Sequence, residues 1–537
     1  MAACGGGGGE TSPTPTPTPT PDGTVTISAA AGTADSRLAC FKGTANAACG
    51  LRTYQIMVES FVDGDASADY NVGYGTSHHK GDLKGIISAL DYIKSTGVNA
   101  IWLTPVFESI PKSGQDKWAD RLDATGYFAS NYFKIDPKFG TLDDARALVD
   151  EAHKRGLYVF FDGVFGHHKD NVLASPTGKS PTGGTNPVSY PGSYDFYAEV
   201  ATYWIKELKI DGWRLDQAYQ VPVDQWTKLR AAVEQASASV TYTNASGASV
   251  NPLGYMVGEI WDGESTIASK GYGPANAPAL LSNFDFPSRY RLVQTLAVEE
   301  SGTGKKPAST LKEVFSTVQA GYPNHAIPNL MLTNHDLVRF GDLLQRGGIA
   351  QPSDDAYWNR HKLAFAFMAA YSGPITLYYG DEIGQEVPGF STQQSPTTCA
   401  DAGLCDDHVS RSSALIDGVA TTVGGAVGAL NARQSNLKNY VATLWALRDT
   451  NPALAYGSRT HVFANSTVYV DRKDAGSNRV LLVMNTGTSE ASIKLDKAAI
   501  GGIDSGLTDL EDASAVSATD GVYSFKVPAL SARLLKF

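Results

Sequence analysis

Gly212-Trp-Arg-Leu-Asp-Gln-Ala-Tyr-Gln220 is the stretch that decides the fold. An apolar run from Ile210 to Leu215, interrupted by Arg214, ends in Asp216. Three other stretches share the plan: Phe161-Asp-Gly-Val-Phe-Gly-His-His168, Val257-Gly-Glu-Ile-Trp-Asp262 and Leu332-Thr-Asn-His-Asp336. Leu157 to Phe161 runs into Asp162, Tyr255 to Val257 into Glu259, and Leu330 to Leu332 into Asp336 by way of His335. Short apolar runs of this kind read as strands buried on both faces. An acid at the exit of such a strand is costly unless it faces a cleft or a partner. Four of them suggest one cleft built from several strand ends, as at the C-terminal face of a (β/α)8 barrel.

Working outward, the pattern predicts further strands at Tyr54–Phe61, Val98–Leu103, Ala279–Phe284, Asn329–Leu332 and Pro374–Tyr379. Helical spacing of apolar residues falls between strands, at Ile86–Ser95, Leu142–Arg155, Tyr197–Leu208 and Asp224–Ala236. Strands alternating with helices mean parallel strands joined by crossovers, an α/β fold. The expected organisation is a tail and Thr/Pro linker over 1–36, a TIM barrel over 37–453 and a C-terminal domain over 454–537. The Gly-, Pro-, Ser- and Thr-rich segment 166–195 follows strand 3 as a short insertion. Residues 385–426 follow strand 8 and are long enough to rim the cleft. From Thr460 onward, short alternating runs separated by Gly, Asn, Asp and Ser predict an antiparallel β-sandwich.

The four acid-bearing stretches resemble the signature regions of the α-amylase family of glycoside hydrolases. Gly212-Trp213-Arg214-Leu215-Asp216 matches best, and Asn334-His335-Asp336 matches in full. The first region matches at Asp162 and His167, the third at Glu259. The resemblance implies the same barrel and a retaining α-glycosidase. It makes Asp216 the nucleophile, Glu259 the general acid and then base, and Asp336 the residue that grips sugar hydroxyls. Two carboxyls about 5–5.5 Å apart suffice for this chemistry. Arg214, two residues before Asp216, points to the same side of the strand and favours its ionised form. Glu259 has to stay protonated, which neighbouring carboxylates and an apolar flank of Ile260 and Trp261 favour.

His167, His335 and Trp261 join the expected substrate contacts, although either histidine alone reads equally as a core or capping residue. Asp162 supports the arginine from beneath. Tyr127, in Gly126-Tyr127, is placed to stack on the sugar at the cleavage point; alone it is an ordinary loop tyrosine. The implied reaction is hydrolysis of α-1,4 bonds in starch-derived glucans or maltooligosaccharides. The alternatives are a transglycosylase or exo-glucosidase of small α-glucosides (maltose, trehalose, sucrose), and a catalytically silent glucan-binding protein. Retention of all three acids weighs against the last.

Three positions depart from the family pattern. Gly166 stands where an Asn is usual, Gln220 where a His is usual, and Tyr219 where a Lys is common. The Asn and His belong to the family's usual calcium site, so that site is expected to be lost, and the chemistry itself requires no cofactor. Asp63-Gly-Asp65-Ala-Ser-Ala-Asp69 reads either as a second calcium loop or as a solvated turn.

The chain has 537 residues and a formal net charge of −11, which leaves no electrostatic footprint for nucleic acid. No apolar run approaches the ~20 residues a membrane span needs. Met1-Ala-Ala-Cys4, five glycines and Thr-Pro repeats resemble the remnant of a bacterial lipoprotein signal and spacer, with Cys4 as the lipid-bearing residue. That implies export to the periplasm, outer membrane or cell surface, with membrane contact only through the lipid. Cys40 with Cys49, and Cys399 with Cys405, then read as two local disulfides. The protein is expected to act as a monomer.

Overall fold

Eight parallel strands close into a barrel in chain order. They are β1 Arg52–Ile56, β2 Ala100–Leu103, β3 Tyr158–Gly163, β4 Gly212–Leu215, β5 Tyr255–Gly258, β6 Ser282–Phe284, β7 Ile327–Met331 and β8 Ile375–Tyr378. The computed structural model describes residues 23–70, 72, 75–109, 119–302, 304–390, 405–416, 429–502 and 506–537. Trp102, Phe160, Tyr255, Val257 and Phe284 pack in one cluster contributed by five of the barrel strands or their ends. Their aromatic and β-branched character suits strands covered on both faces. Strand β1 is displaced from its expected span of Tyr54–Phe61. Its ladder with β2 ends at Ile56↔Leu103, and Val58 N–H donates to Thr104 Oγ1 at 3.0 Å, turning the chain into a short 3₁₀ helix at Val58–Ser60.

The crossovers carry helices α1 Leu83–Ser95, α2 Leu142–Lys154, α3 Tyr194–Leu208, α4 Val223–Ala238, α5 Phe286–Leu296, α6 Phe340–Arg346, α7 Asp355–Ala369 and α8 Ala432–Thr450. Their starts have chemical causes. Asp82 accepts from Gly85 N–H to cap α1, and Thr141 with Asp144 forms a capping box on α2. The β5–β6 connection is the exception. It has one α-helical turn at Glu264–Thr266 and a π-helical turn at Ile267–Tyr272.

The segment between β3 and α3, expected as an insertion over 166–195, has one isolated bridge, Gly183↔Val188. Its Leu173 N–H donates to Ser130 O at 2.7 Å, beside a two-stranded ribbon of Phe107–Glu108 and Asn131–Ile135. This builds one wall of the cleft.

After α8 come two sheets. One has six strands and includes Ser458–Ala464, Val468–Ala475, Asn478–Asn485 and Ser531–Lys536; the other has four and includes Ala491–Asp496 and Val522–Val527. Val470 and Leu481 of the first share a core with Ile493 and Tyr523 of the second, as in a sandwich. The N-terminal boundary needs correction. Thr24–Ile27 lies within the stretch expected as linker, yet it pairs in parallel with Ala491–Asp496, and Ile27 is buried in the sandwich core. Alternation over four residues is too short to announce a strand whose partner is at the other end of the chain.

Cys40 and Cys49 are disulfide-bonded. Cys405 is also in a disulfide, while Cys399 and Cys4 lie outside the described residues. No helix among the described residues is long and apolar enough to cross a membrane.

Candidate active site

The barrel ladders place the acids. Register pairs Asp162 with Arg214 across β3 and β4, and Val257 with Arg214 across β4 and β5. Hydrogen bonds from Asp216 N–H to Gly163 O and from Glu259 N–H to Leu215 O continue both ladders by one residue. Asp216 and Glu259 therefore leave the C-terminal ends of neighbouring strands. Gly212 permits this approach: its φ is +145°, and a Cβ there would meet Tyr255 O at 1.8 Å. After β7, the Asn334 side chain accepts from the N–H groups of Asp336 and Leu337 at 2.8 and 3.0 Å. That turn presents His335 and Asp336 to the same cleft.

Arg214 is fully buried and organises the floor. Its Nη1 donates to Asp162 at 2.9 and 3.0 Å and to Asp216 Oδ1 at 3.0 Å. Its Nη2 lies 3.1 Å from Glu259 Oε2, and its guanidinium sits 4.9 Å from the centre of the Trp102 ring. Asp162 also accepts from Tyr127 OH and Trp102 Nε1. Burial pushes Asp162 up, to about 7, against the pull of Arg214. This is the supporting role expected of it.

The two working carboxyls are pushed apart. Burial raises the pKa of Glu259 well above the carboxylate range; Asp216 and Asp336 add to this, and Arg214 opposes it. Burial acts to raise Asp336 too, but His335, Arg411 and Arg214 together bring it below its ordinary value. Gln217 N–H donates to Glu259 Oε2 at 3.1 Å. Gln217 reaches that position with φ 41° and ψ 50°, a left-handed conformation uncommon for a residue with a side chain and typical of functional sites.

His335 is held neutral: burial lowers it to about 3. Gln55 Nε2 donates to its Nδ1 at 2.7 Å, leaving the hydrogen on Nε2, which faces Tyr127 OH at 2.8 Å and Asp336 Oδ2 at 3.2 Å. Tyr127 lies parallel to the His335 ring, at 5.3 Å and 7°, with its hydroxyl fixed by Asp162. His167 Nε2 is 3.8 Å from Asp216 Oδ2. The structure thus brings together Tyr127, Asp162, His167, Arg214, Asp216, Glu259, His335 and Asp336.

Trp261 stands outside this cluster. It is 49% exposed, stacked on Phe286 at 5.7 Å and 9°, with Nε1 donating to Tyr290 OH at 2.9 Å. The expected apolar flank of Glu259 is therefore Ile260, which is buried, without Trp261. Four participants were not foreseen: Gln55, Trp102, Gln217 and Arg411. Arg411 Nε donates to His335 O at 3.1 Å and its Nη2 to Asp336 Oδ1 at 2.7 Å. Residues 405–416 thus form part of the cleft rim, where the segment after β8 was expected.

At the usual calcium position, the Gln220 side chain fills the space beside Gly166, where a Cβ would meet Gln220 Oε1 at 2.1 Å. The Gln220 amide is bonded to His167, Asn186 and Gln217. In the loop after β1, Asp63, Asp65 and Asp69 do not converge. Asp65 turns to Lys84 Nζ at 2.6 Å and to Ser67, and Asp63 and Asp69 are buried. Among the described residues no three His, Cys, Asp or Glu side chains are grouped to hold a metal ion.

The family model for the α-amylase catalytic domain matches residues 55–177 and 193–414. A solved structure described as AmyP in complex with maltose superposes with a TM-score of 0.87 and 56% identity, covering 91% of this chain and 96% of that one. A cyclomaltodextrinase of Thermoanaerobacter pseudethanolicus is 26% identical over 83% of this chain and 71% of its own length. Neopullulanase 2 of Thermoactinomyces vulgaris is 30% identical over 62% of this chain, which spans 56% of that relative.

Proposed function

Because the chain belongs to the α-amylase family, we propose that this hydrolase of α-glucans cleaves α-1,4 bonds of starch-derived chains or maltooligosaccharides with retention. The observation that carries this reading is Arg214, whose one guanidinium contacts both Asp216 and Glu259, while burial and two other carboxylates keep a proton on Glu259. An ionised carboxylate beside a protonated one is what the two halves of the reaction need. Asp216 attacks the anomeric carbon as Glu259 gives its proton to the leaving glycosidic oxygen. The covalent glycosyl ester is then hydrolysed by a water whose proton Glu259 takes back. Asp336 stays ionised and, with neutral His335, offers an acceptor and a donor to sugar hydroxyls. The test is a product time course from maltoheptaose, with Asp216→Asn as control. Shorter sugars alone support hydrolysis; products longer than maltoheptaose move the reading to transglycosylation; no products from either sample overturn it.

A cation in the loop after β1 accounts for one buried feature. Asp63 Oδ1 is buried without a hydrogen-bond partner, and burial and Asp63 together raise the pKa of Asp69. Calcium held by Asp63 and Asp69 with loop carbonyls would neutralise both acids. Millimolar Ca²⁺ then raises the melting temperature of the wild type and not of Asp63→Asn; equal melting with and without the ion removes the proposal.

Export with lipid attachment at Cys4 is the matching proposal for location. The Cys40–Cys49 disulfide supports an oxidising compartment. Incorporation of labelled palmitate that is lost in Cys4→Ser tests it.

A further inference from the structure

Five large apolar side chains stand exposed among the described residues: Leu142, Leu173, Tyr219, Trp261 and Leu415. The two aromatic ones each lie within three residues of a catalytic carboxyl, Tyr219 after Asp216 and Trp261 after Glu259. Trp261 is not loosely held. One ring face lies flat on Phe286 and the indole N–H is fixed by Tyr290. Its orientation is set before any ligand arrives, which lowers the entropic cost of binding.

Beside it lies a cavity of about 410 Å³ between the loop after β5 and one face of α5. Trp261, Asp262, Glu264, Tyr290, Gln294 and Glu299 are among the residues that line it. Gln294 donates to Glu299 through Nε2 at 2.6 Å. Its Oε1 is buried and accepts no hydrogen bond, in a residue only 7% exposed. A buried acceptor without a donor is unfavourable, and a ligand hydroxyl would satisfy it. An aromatic floor, an orphaned amide oxygen and a carboxylate-rich rim suit a neutral pyranose. The C–H face covers the ring, and the hydroxyls donate to the oxygens. The carboxylates disfavour an anionic ligand.

We propose that this cavity binds glucosyl units on the leaving-group side of a long α-glucan, with Trp261 as platform and Gln294 as hydroxyl acceptor. The side follows from the chain: the loop bearing Trp261 leaves β5 directly after Glu259, the acid that protonates the leaving oxygen. The inference rests on the proposed glucan hydrolysis, which it extends to chain length.

The experiment compares kcat/KM for amylose with kcat/KM for 4-nitrophenyl α-maltoside, whose leaving group carries no glucosyl unit. In Gln294→Leu and in Trp261→Ala the amylose-to-aryl-maltoside ratio is expected to fall about tenfold, the scale of one lost hydrogen bond or stacking contact. A ratio unchanged in both variants, with wild-type amylose hydrolysis intact, overturns the inference and leaves the proposed function standing. Binding is read separately. Maltohexaose quenches tryptophan fluorescence in Asp216→Asn, and adding Gln294→Leu weakens that binding about tenfold. Equal affinity with and without Gln294→Leu overturns the inference even if amylose proves not to be a substrate.

Discussion

Arg411 Nη2 lies 2.7 Å from Asp336 Oδ1, and Arg411 Nε holds the carbonyl of His335 at 3.1 Å. Arg411 is thus a positioning residue for the third acid. Arg411→Ala is expected to lower kcat/KM about 10- to 100-fold, the range for losing a hydrogen bond to a charged group. The loss of positive charge also raises the Asp336 pKa, so the acid limb of the pH–rate profile moves upward. Arg411→Lys restores much of the profile and less of the rate. A purely structural role would lower the rate without moving the limb.

Asp216 and Glu259 were legible because a strand has a period of two and a barrel has one active end. An acid at the exit of an apolar run has few other uses there. Arg214 was legible for the same reason, since its side is fixed relative to Asp216. Arg411 was not, because it returns from a segment with no apolar periodicity. Gln55 and Trp102 sit inside strands and read as ordinary filling until His335 and Asp162 are seen against them. Trp261 had the right neighbourhood and the wrong direction. The sequence places it two residues from Glu259, but its stacking depends on Phe286 at the start of another helix.

Glu259→Gln separates protonation from nucleophilic attack. On maltooligosaccharides the rate is expected to fall about 10²- to 10⁴-fold, the share usual for general acid–base assistance. α-Maltosyl fluoride needs no proton on its leaving group, so formation of the glycosyl-enzyme from it stays much closer to the wild-type rate. Asp216→Asn loses both substrates. Equal losses on the two substrates in Glu259→Gln would remove the acid role.

The raised pKa of Glu259 also has a sign for stability. Between the ordinary glutamate value and its raised folded value, the folded protein holds a proton that the unfolded chain has lost. Stability therefore falls as pH rises through that window. Glu259→Gln removes the term. Its melting temperature should match the wild type near pH 4 and exceed it at pH 7 to 8, by a margin that grows with pH. The same titration gives the alkaline limb of kcat for the wild type, because the active acid is the protonated form. Thermal melts at several pH values check this; a variant less stable at pH 8 than at pH 4, relative to wild type, contradicts it.

The last prediction concerns the far end of the chain. Thr24–Ile27 covers the edge of Ala491–Asp496, and Ile27 packs in the same core as Ile493 and Tyr523. Ile27→Ala should cost roughly 2–5 kcal/mol, as for other buried isoleucines, and Ile27→Asp more, because it adds a buried charge without a partner. Neither residue touches the cleft, so kcat/KM measured below the melting transition stays at the wild-type value. With the strand loosened, the edge of Ala491–Asp496 presents open N–H and C=O groups, a template for pairing between chains. Denaturant unfolding followed by light scattering reads both effects. Wild-type stability in Ile27→Asp would mean that this strand is not part of the sandwich in solution.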